Sequence, residues 1–289
     1  MRPFAEMVQE LRRGRFDACV VVHPTFRLAL LMFFAGIPVR VGSGYRAYGA
    51  LFNRRVFTHR KTAERHEAEY NLELLAPLGC ALPPAEDAGA TIVIPDEARA
   101  RVHELLRGEG VGAGEKVVVV HPGSGGSARE WPLASFAALA SELSGRPGFR
   151  VVVTGTAGEA ERAAVVVRGT EGRVRDLCGK LTLKELAALL REAALVVANS
   201  TGPIHIAAAL GTAVLGFYPQ IPVMGPVRWG PRTRRARVLV PAKDPACADC
   251  RKSGGGECAC MASISVADAL HAADELLGAA ISLPPVSAS

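Results

Sequence analysis

The feature that most constrains the fold is a pair of uninterrupted valine runs, at residues 117–120 and 151–153. Strands with one face in water alternate apolar and polar side chains, and these runs do not. Continuous apolar strands are typical of parallel sheets, which are covered by helices on both faces. A helical pattern follows each run, at about 133–143 and 157–167. We therefore predict an α/β fold with a doubly wound parallel sheet and a ligand crevice at the carboxyl ends of its strands.

Strand and helix patterns alternate through the rest of the chain as well. In the second half, further strands are predicted at 195–198, 213–217 and, more weakly, 238–240, and helices at 182–192, 203–210 and 266–277. In the first half, helices are predicted at 4–13, 25–35 and 64–78, and strands at 18–22, 39–41 and 91–94, around a basic and irregular segment at 54–61. The stretch 82–90 is rich in proline, alanine and glycine, and it predicts a boundary between domains at 1–90 and 91–289.

Charge and hydropathy limit the partners that we expect. The net charge of +6, from 34 basic and 28 acidic residues, favours an anionic partner such as a phosphorylated sugar or a lipid surface, although a merely basic surface is equally compatible with it. Few aromatic residues flank the basic ones, so we do not expect nucleic acid. The longest apolar run, at 28–37, is too short to span a bilayer, and no cleavable signal peptide is visible. We expect a cytoplasmic protein.

A glycine-rich loop follows the first valine run and reads HPGSGGSAREWP from residue 121 to 132. Gly123 and the two glycines after Ser124 allow the backbone to approach a ligand, and successive N–H groups can form an anion-binding nest. The hydroxyl of Ser124 and the guanidinium of Arg129 add donors. An ordinary flexible loop would have glycines too, but the combination at a strand's carboxyl end favours phosphate binding.

Two more loops at predicted strand ends carry polar residues. Glu159 could accept the hydroxyls of a ribose, or could simply interact with the start of its own helix. In the segment Asn-Ser-Thr-Gly-Pro at 199–203, Ser200 or Thr201 could cap a helix whose free N–H groups hold phosphate. His205, in the first turn of that helix, could face a ligand or be a buried core histidine.

These segments, taken together, resemble the lipopolysaccharide heptosyltransferases of glycosyltransferase family 9. The segments that carry the resemblance are HPGSGGSAREWP, GTAGEAE, CGKLTLKEL, NSTGPIHIAAALG and, in the first half, HPTFRLALL, LFNRRV and ERHEAEYNLELL. The resemblance implies a GT-B fold of two doubly wound Rossmann-like domains, the N-terminal one incomplete here. It also implies an ADP-heptose type of donor, inversion at the anomeric carbon, no required metal, and an acceptor that is a lipopolysaccharide core or another glycolipid or glycan.

The resemblance also assigns roles to residues of the donor site. It implies that Gly123, Ser124 and neighbouring amides hold the diphosphate, that Arg129 neutralises it, that Glu159 holds the ribose and that Leu181 lies near the adenine. The sugar and phosphates would be met by Ser200, Thr201, Gly202 and His205. The family commonly has lysine where this chain has Arg129, which should preserve the charge. It commonly has aspartate where this chain has Ser200, and this difference weakens the case for heptose and leaves hexose donors open.

The first half departs from the family in lacking its opening βα units and the loop aspartate that serves as the presumed general base. His23 ends a predicted strand and is the nearby titratable candidate, although a loop histidine that shapes the acceptor site is the simpler interpretation. We expect low turnover with donor binding retained. The residues expected on the acceptor side, where they would attract an anionic glycolipid and allow peripheral contact with the inner face of the cytoplasmic membrane, are His23, Arg46, Arg54, Arg55, His59, Arg60 and Lys61.

Four cysteines, Cys247, Cys250, Cys258 and Cys260, fall within fourteen residues of a second loop, which is rich in lysine and glycine. They could bind a structural zinc ion, or they could be reduced or redox-labile thiols. Two other functions also remain open at this point: a nucleotide-sugar-binding protein without catalysis, and a sugar-nucleotide epimerase with the same two-domain architecture.

Overall fold

The computed structural model describes residues 2–84, 90–242, 256–257 and 260–281. Contacts between Cα atoms divide the chain into two compact units, Met1–Ala88 and Gly89–Ser289, here called unit 1 and unit 2. Within the described ranges, no helix has both the length and the apolarity that crossing a membrane requires.

Unit 1 is built on a small parallel sheet with helices beside it. Its strands are β1 (Ala18–Val20), β2 (Val39–Ser43) and β3 (Arg54–Val56), and its α-helices are α1 (Phe4–Arg13), α2 (Phe26–Phe34) and α3 (Glu67–Glu73). The strand order is β1-β2-β3, and both pairings are parallel. All three strands therefore present their carboxyl ends at the same edge.

Unit 1 differs from the sequence prediction in two places. The segment predicted to be irregular contains β3, which pairs with β2 from Val41↔Arg54 onwards. Because Arg54 and Arg55 are exposed, the strand has no apolar pattern by which it could be recognised. The helix predicted at 64–78 ends at Glu73 and is followed by a separate 3₁₀ turn, Ala76–Leu78, because Pro77 has no N–H to continue an α-helix.

Unit 2 contains a six-stranded parallel sheet of order β10-β9-β8-β4-β6-β7, and a two-stranded pairing of β5 with β11. Its strands are β4 (Lys116–His121), β5 (Arg129–Glu130), β6 (Phe149–Val153), β7 (Val174–Asp176), β8 (Leu195–Asn199), β9 (Val214–Phe217), β10 (Ala236–Leu239) and β11 (Gly256–Glu257). Its α-helices are α4 (Asp96–Gly108), α5 (Leu133–Ser144), α6 (Ala160–Val167), α7 (Leu183–Glu192), α8 (Gly202–Ala209), α9 (Pro226–Trp229) and α10 (Val266–Ile281). The predicted parallel α/β sheet is confirmed. The short elements β7 and α9 were not predicted, because three or four residues are too few to show a strand or helix periodicity of apolar side chains.

The valine runs form the centre of unit 2, as their lack of alternation predicts. Val118 and Val120 pack with α5, α6 and α10 on one face of the sheet, whereas Val117 and Val119 pack with α4, α7 and α8 on the other. Full burial of one valine contributes about 1.5–3 kcal/mol, so the two runs hold the strands firmly and fix where they end. The strand predicted at 91–94 does not form: Ile92 and Ile94 pack against the second cluster without joining a sheet.

Candidate functional site

The chain order in the unit 2 sheet reverses at β4. Strands β6 and β7 lie on one side of it, and β8, β9 and β10 lie on the other. Such a switch point opens a crevice at the carboxyl ends, because the loops of the two halves leave in opposite directions. His121, the last residue of β4, is level with Ala198 of the adjacent β8. The loop that follows β4 and the loop that follows β8 therefore begin side by side.

A fully buried asparagine joins these two loops. The side-chain oxygen of Asn199 accepts a hydrogen bond from the Trp131 N–H at 2.9 Å, and its amide nitrogen donates to the Pro122 carbonyl at 2.8 Å. One side chain from the end of β8 thus satisfies both ends of the glycine-rich loop. Trp131 is itself anchored, since its ring stacks on Phe217 at 4.1 Å and its Nε1 donates to the Ile264 carbonyl at 2.9 Å.

Ser124 organises the interior of the glycine-rich loop. Its hydroxyl donates to Oε1 of Glu130 at 2.6 Å and accepts from the Gly126 N–H at 3.2 Å. The N–H and the hydroxyl of Ser127 both donate to the Ser124 carbonyl, at 3.0 and 2.7 Å. Gly125 and Gly126 have φ of +55° and +80°, which a side chain would oppose. The hydroxyl expected to hold a diphosphate thus serves the loop's own conformation.

Charge is concentrated near the end of the loop, in side chains that are almost fully buried. Arg129 is 2% exposed and Glu130 is 4% exposed. The Glu130 carboxylate also forms a salt bridge with Arg162, whose Nη2 lies 2.6 Å from Oε2 of Glu130. The guanidinium groups of Arg129 and Arg162 therefore lie at the loop together with the carboxylates of Glu130 and Glu159, and a guanidinium is a group that can bind an anionic ligand.

A cavity of about 300 Å³ lies where the glycine-rich loop meets the start of α8. The polar part of its wall comes from the two loops at the switch point, and the remainder comes from the segment after β9. Its lining residues are Ser127, Ala128, Ser200, Thr201, Gly202, His205, Pro219, Met224 and Trp229. The structure thus brings four residues singled out by the sequence, Ser200 to Gly202 and His205, to one cavity with the end of the glycine-rich loop.

Tyr218 and Trp229 belong to this region and were not expected from the sequence. The fully buried Tyr218 donates its hydroxyl to the Trp229 carbonyl at 2.8 Å. Burial raises the pKa of Tyr218 against the opposite effect of a hydrogen bond with Ser200, so the phenol stays protonated at neutral pH. Tyr218 follows directly on β9, and this position at a strand's carboxyl end is the signal that could have identified it.

Glu159 lies on the other side of the glycine-rich loop. Its Oε2 accepts from the N–H and the hydroxyl of Thr156, at 2.8 and 2.9 Å. A Cβ on Gly123 would overlap the Glu159 carboxylate, so the glycine is what lets the two loops approach. Burial acts to raise the pKa of Glu159, but the Thr156 hydrogen bonds, together with His121 and Arg162, outweigh it and hold that pKa below its ordinary value.

His121 and Cys178 border the same region. Burial lowers the pKa of His121, and the neighbouring Glu159 offsets only part of this effect, so the imidazole is neutral at pH 7. Its Nδ1 lies 3.0 Å from the Thr154 hydroxyl. Burial, reinforced by Asp176, raises the pKa of the Cys178 thiol to about 12, which makes it a packing group rather than a nucleophile. Leu181 is half-buried against the core cluster of α4 and α7.

The residues expected on the acceptor side all belong to unit 1. His23 is exposed in the loop after β1, and Arg54 and Arg55 are exposed on β3. Arg60 is different, because its guanidinium lies 2.5 Å from Glu67 Oε1 and also donates to Asn71. The basic segment is therefore smaller than its sequence indicates.

The cysteine cluster stays a prediction. Cys247, Cys250 and Cys258 lie outside the described residues, whereas Cys260 is half-buried against the core of unit 2. Among the residues that the structure covers, no three His, Cys, Asp or Glu side chains are grouped as metal ligands.

Solved structures resemble this architecture closely. A glycosyltransferase family 9 structure from Veillonella parvula aligns with a TM-score of 0.78 and 24% identity over 96% of this chain and 78% of that one. An Escherichia coli heptosyltransferase solved with ADP aligns with a TM-score of 0.65 and 19% identity, over 96% of this chain and 79% of that one. At these identities the likeness establishes the fold, which is the GT-B fold predicted from the sequence.

Sequence comparison establishes the family. Lipopolysaccharide heptosyltransferase 2 of Escherichia coli K12 is 30% identical over 244 residues, which cover 79% of this chain and 66% of that protein. The chain spans about two thirds of the length of the curated relatives it matches. The profile of glycosyltransferase family 9 (heptosyltransferase) matches residues 4–255. The chain therefore belongs to glycosyltransferase family 9, the heptosyltransferase family.

Proposed function

We propose that the chain binds a nucleotide-diphosphate sugar in unit 2 and transfers its glycosyl group to a glycolipid or glycan acceptor. The observation that carries this proposal is the cavity at the switch point, which joins the glycine-rich loop to the first turn of α8. A cavity of about 300 Å³ is of the size that holds a small polar ligand. The fold, the guanidinium groups at the loop and the family membership all support the same ligand.

In this proposal the diphosphate lies between the glycine-rich loop and the N-terminus of α8. That helix begins at Gly202, and its dipole places partial positive charge at the cavity. Arg129 adds a full positive charge beside the loop. Glu159, with its depressed pKa, is ionised at neutral pH and accepts the ribose hydroxyls. The relative solved with ADP makes adenine the first base to test.

The donor sugar occupies the part of the cavity lined by Ser200, Thr201 and His205. Transfer with inversion forms a bond from the acceptor oxygen to the anomeric carbon and breaks the bond from that carbon to the diphosphate. The acceptor proton passes to a base, and the nucleoside diphosphate leaves with the bonding pair. Arg129 and the α8 terminus stabilise the charge that develops on this leaving group. Heptose is the first donor to test, and hexoses are the alternative because Ser200 supplies a hydroxyl rather than a carboxylate.

Binding of nucleotides is the first test. Calorimetry with ADP, UDP and GDP should show tightest binding of ADP. Arg129→Ala should weaken ADP at least tenfold, because a charge-assisted hydrogen bond is worth about 1.5–3 kcal/mol. Arg129→Lys is the matched variant, since it keeps the charge, and it should recover most of the affinity. Unchanged ADP affinity in Arg129→Ala would contradict the diphosphate assignment.

Turnover with ADP-, UDP- and GDP-sugars distinguishes the proposed transferase from its alternatives. Release of nucleoside diphosphate that depends on an added lipopolysaccharide core supports transfer. Binding without such release would indicate a nucleotide-sugar-binding protein, and acceptor-independent conversion of a UDP-sugar would indicate an epimerase. His23→Ala belongs in the same assay, because loss of turnover with unchanged ADP affinity would support His23 as the base.

A further inference from the structure

The carboxyl edge of the unit 1 sheet carries a group of exposed aromatic rings. Phe57 follows β3 directly and is 60% exposed, and Tyr45, in the loop after β2, is 46% exposed. The two rings meet edge to face, with centroids 5.6 Å apart. The ring of His59 lies 4.5 Å from that of Tyr45. Three rings thus stand next to one another at the edge where parallel sheets bind ligands.

These rings are exposed but held in place. A Cβ on Gly44 would overlap the Phe57 ring, so the ring lies directly on the glycine backbone. The Gly44 N–H donates to the Val56 carbonyl at 3.0 Å, which fixes this backbone to the end of β3. A rigid apolar surface costs little conformational entropy when a ligand stacks on it. This arrangement therefore differs from a random exposed phenylalanine.

A polar pocket of about 290 Å³ adjoins the Phe57 ring. In its wall, Oε2 of Glu73 accepts from the Thr58 hydroxyl at 2.9 Å and from Arg65 Nη2 at 3.0 Å. Its Oε1 makes no hydrogen bond among the described residues and can accept from a ligand. Arg65 lies over the Tyr70 ring at 4.9 Å, and its side chain is 47% exposed, so its other N–H groups can donate.

Carboxylates outnumber guanidinium groups in the lining of this pocket, because Glu64 and Glu73 face one arginine, Arg65. Glu73 is paired with Arg65, whereas Arg60, which the sequence assigned to the basic segment, does not line the pocket and is paired with Glu67. Glu64 and His59 also line the pocket. A phosphate would meet these carboxylates, whereas a hydroxyl can donate to Glu73 and accept from Arg65. The pocket therefore favours a neutral ligand that is rich in hydroxyl groups.

We propose that the Phe57 ring and the Glu73–Arg65 pair form a subsite for one pyranose ring of the acceptor glycan, a role that rests on the proposed transferase function. The apolar C–H face of the pyranose stacks on Phe57, with Tyr45 at its edge. Hydroxyls on the rim of the sugar bond to Glu73 and Arg65. The exposed Arg54 and Arg55 then bind anionic groups elsewhere on the acceptor, so the sugar and the charge are recognised by different residues.

Titration of the full chain, carrying ¹³C-labelled phenylalanine and tyrosine, with methyl α-D-mannopyranoside tests the subsite. We expect ring signals of Phe57 and Tyr45 to shift on binding. Phe57→Leu keeps an apolar side chain over Gly44 but removes the ring face, and it should weaken binding at least fivefold. Phe26→Leu is the matched control, because Phe26 is also 60% exposed and belongs to the same unit. It should leave the affinity unchanged.

The outcomes separate this subsite from the function on which it rests. Equal affinity in wild type and Phe57→Leu, or shifts of these rings by inorganic phosphate but not by the glycoside, would overturn the proposal. Glu73→Gln, which keeps an oxygen for Thr58, provides a second variant and should weaken the glycoside without affecting ADP. If the wild type does not bind ADP, the proposed donor site is rejected, while glycoside binding that depends on Phe57 would still support the subsite.

Discussion

The two parallel sheets of this chain end in different kinds of surface. At the carboxyl edge in unit 2, the loops are held by buried polar side chains, Asn199 at 0% and Glu130 at 4% exposure. At the corresponding edge in unit 1, Phe57 and Tyr45 are 60% and 46% exposed. The difference indicates that a six-stranded sheet covered on both faces can fix the geometry of a charged ligand. The three-stranded sheet presents an open surface instead, on which aromatic rings are exposed.

The largest effect should come from filling the space between two loops in unit 2. Gly123→Ala places a methyl group where the Glu159 carboxylate lies, so that carboxylate must move. If Glu159 holds the ribose, ADP affinity should fall about a hundredfold, which corresponds to about 2.7 kcal/mol. Gly158→Ala is the control, because a Cβ there would meet only Thr156 Oγ1, at 3.9 Å. Equal ADP affinity in the two variants would remove Glu159 from the donor site.

Glu130→Gln tests whether the loop acts through its buried carboxylate. The amide keeps one acceptor for Ser124 but loses the ion pair with Arg162, so the loop should loosen. We expect ADP affinity to fall about tenfold while adenosine affinity stays constant, since in the proposed site it is the phosphates that contact this loop. Glu115→Gln breaks a comparable pair with Arg150, at the amino end of β4, and should change neither affinity. Parallel losses for adenosine and ADP would indicate a general structural defect instead.

The exposed arginines of unit 1 should have a smaller and salt-dependent effect. The double variant Arg54→Ser, Arg55→Ser removes two positive charges from β3, where neither side chain has a partner among the described residues. Binding to vesicles with anionic lipid should weaken several-fold at low salt and converge with the wild type at high salt. Replacement of Arg12 and Arg13 on α1 gives a control with the same loss of charge. Similar behaviour of both double variants would mean that net charge alone drives binding.

The smallest effect concerns stability against pH. Because burial lowers the pKa of His121, its folded state binds a proton less readily than the unfolded chain does. The contribution of neutral His121 to the free energy of unfolding is fully present above the pKa that this histidine has in the unfolded chain, about 6.5. It is lost as the pH falls through the lower pKa of His121 in the folded state. His121→Asn should therefore flatten the decline in Tm between about pH 7 and pH 5. Glu159 acts in the same direction but in a lower window, below its ordinary value of 4.5. An identical decline in Tm in wild type and variant would reject this assignment.

Much of unit 2 could be predicted because the pattern of its residues indicates which strands are buried and where they end. The valine runs do not alternate with polar residues, which indicates a strand buried on both faces. The glycine, hydroxyl and arginine residues of the glycine-rich loop come directly after the first of these runs, which places them at the carboxyl end of a strand. The polar contacts could not be predicted, because they join residues far apart in the chain: Asn199 meets Trp131 and Pro122, and Glu130 meets Arg162. Unit 1 was harder to predict, because the arginines of β3 are exposed and give the strand no apolar pattern. The exposure of Phe57 could not be predicted either, because a phenylalanine is usually buried.

The double hydrogen bond of Asn199 has a consequence for redesign. Because it holds Pro122 and Trp131 together at the end of β8, the two ends of the segment between them are fixed, while the Glu130–Arg162 pair and the pairing of β5 with β11 hold its second half. Bringing the ends of a loop together costs entropy that grows slowly, by about 0.6 kcal/mol for each doubling of length. Loops of other lengths could therefore be exchanged at residues 125–128, before β5, without rebuilding the sheet. The two hydrogen bonds of Asn199 would hold such a loop at the same two ends.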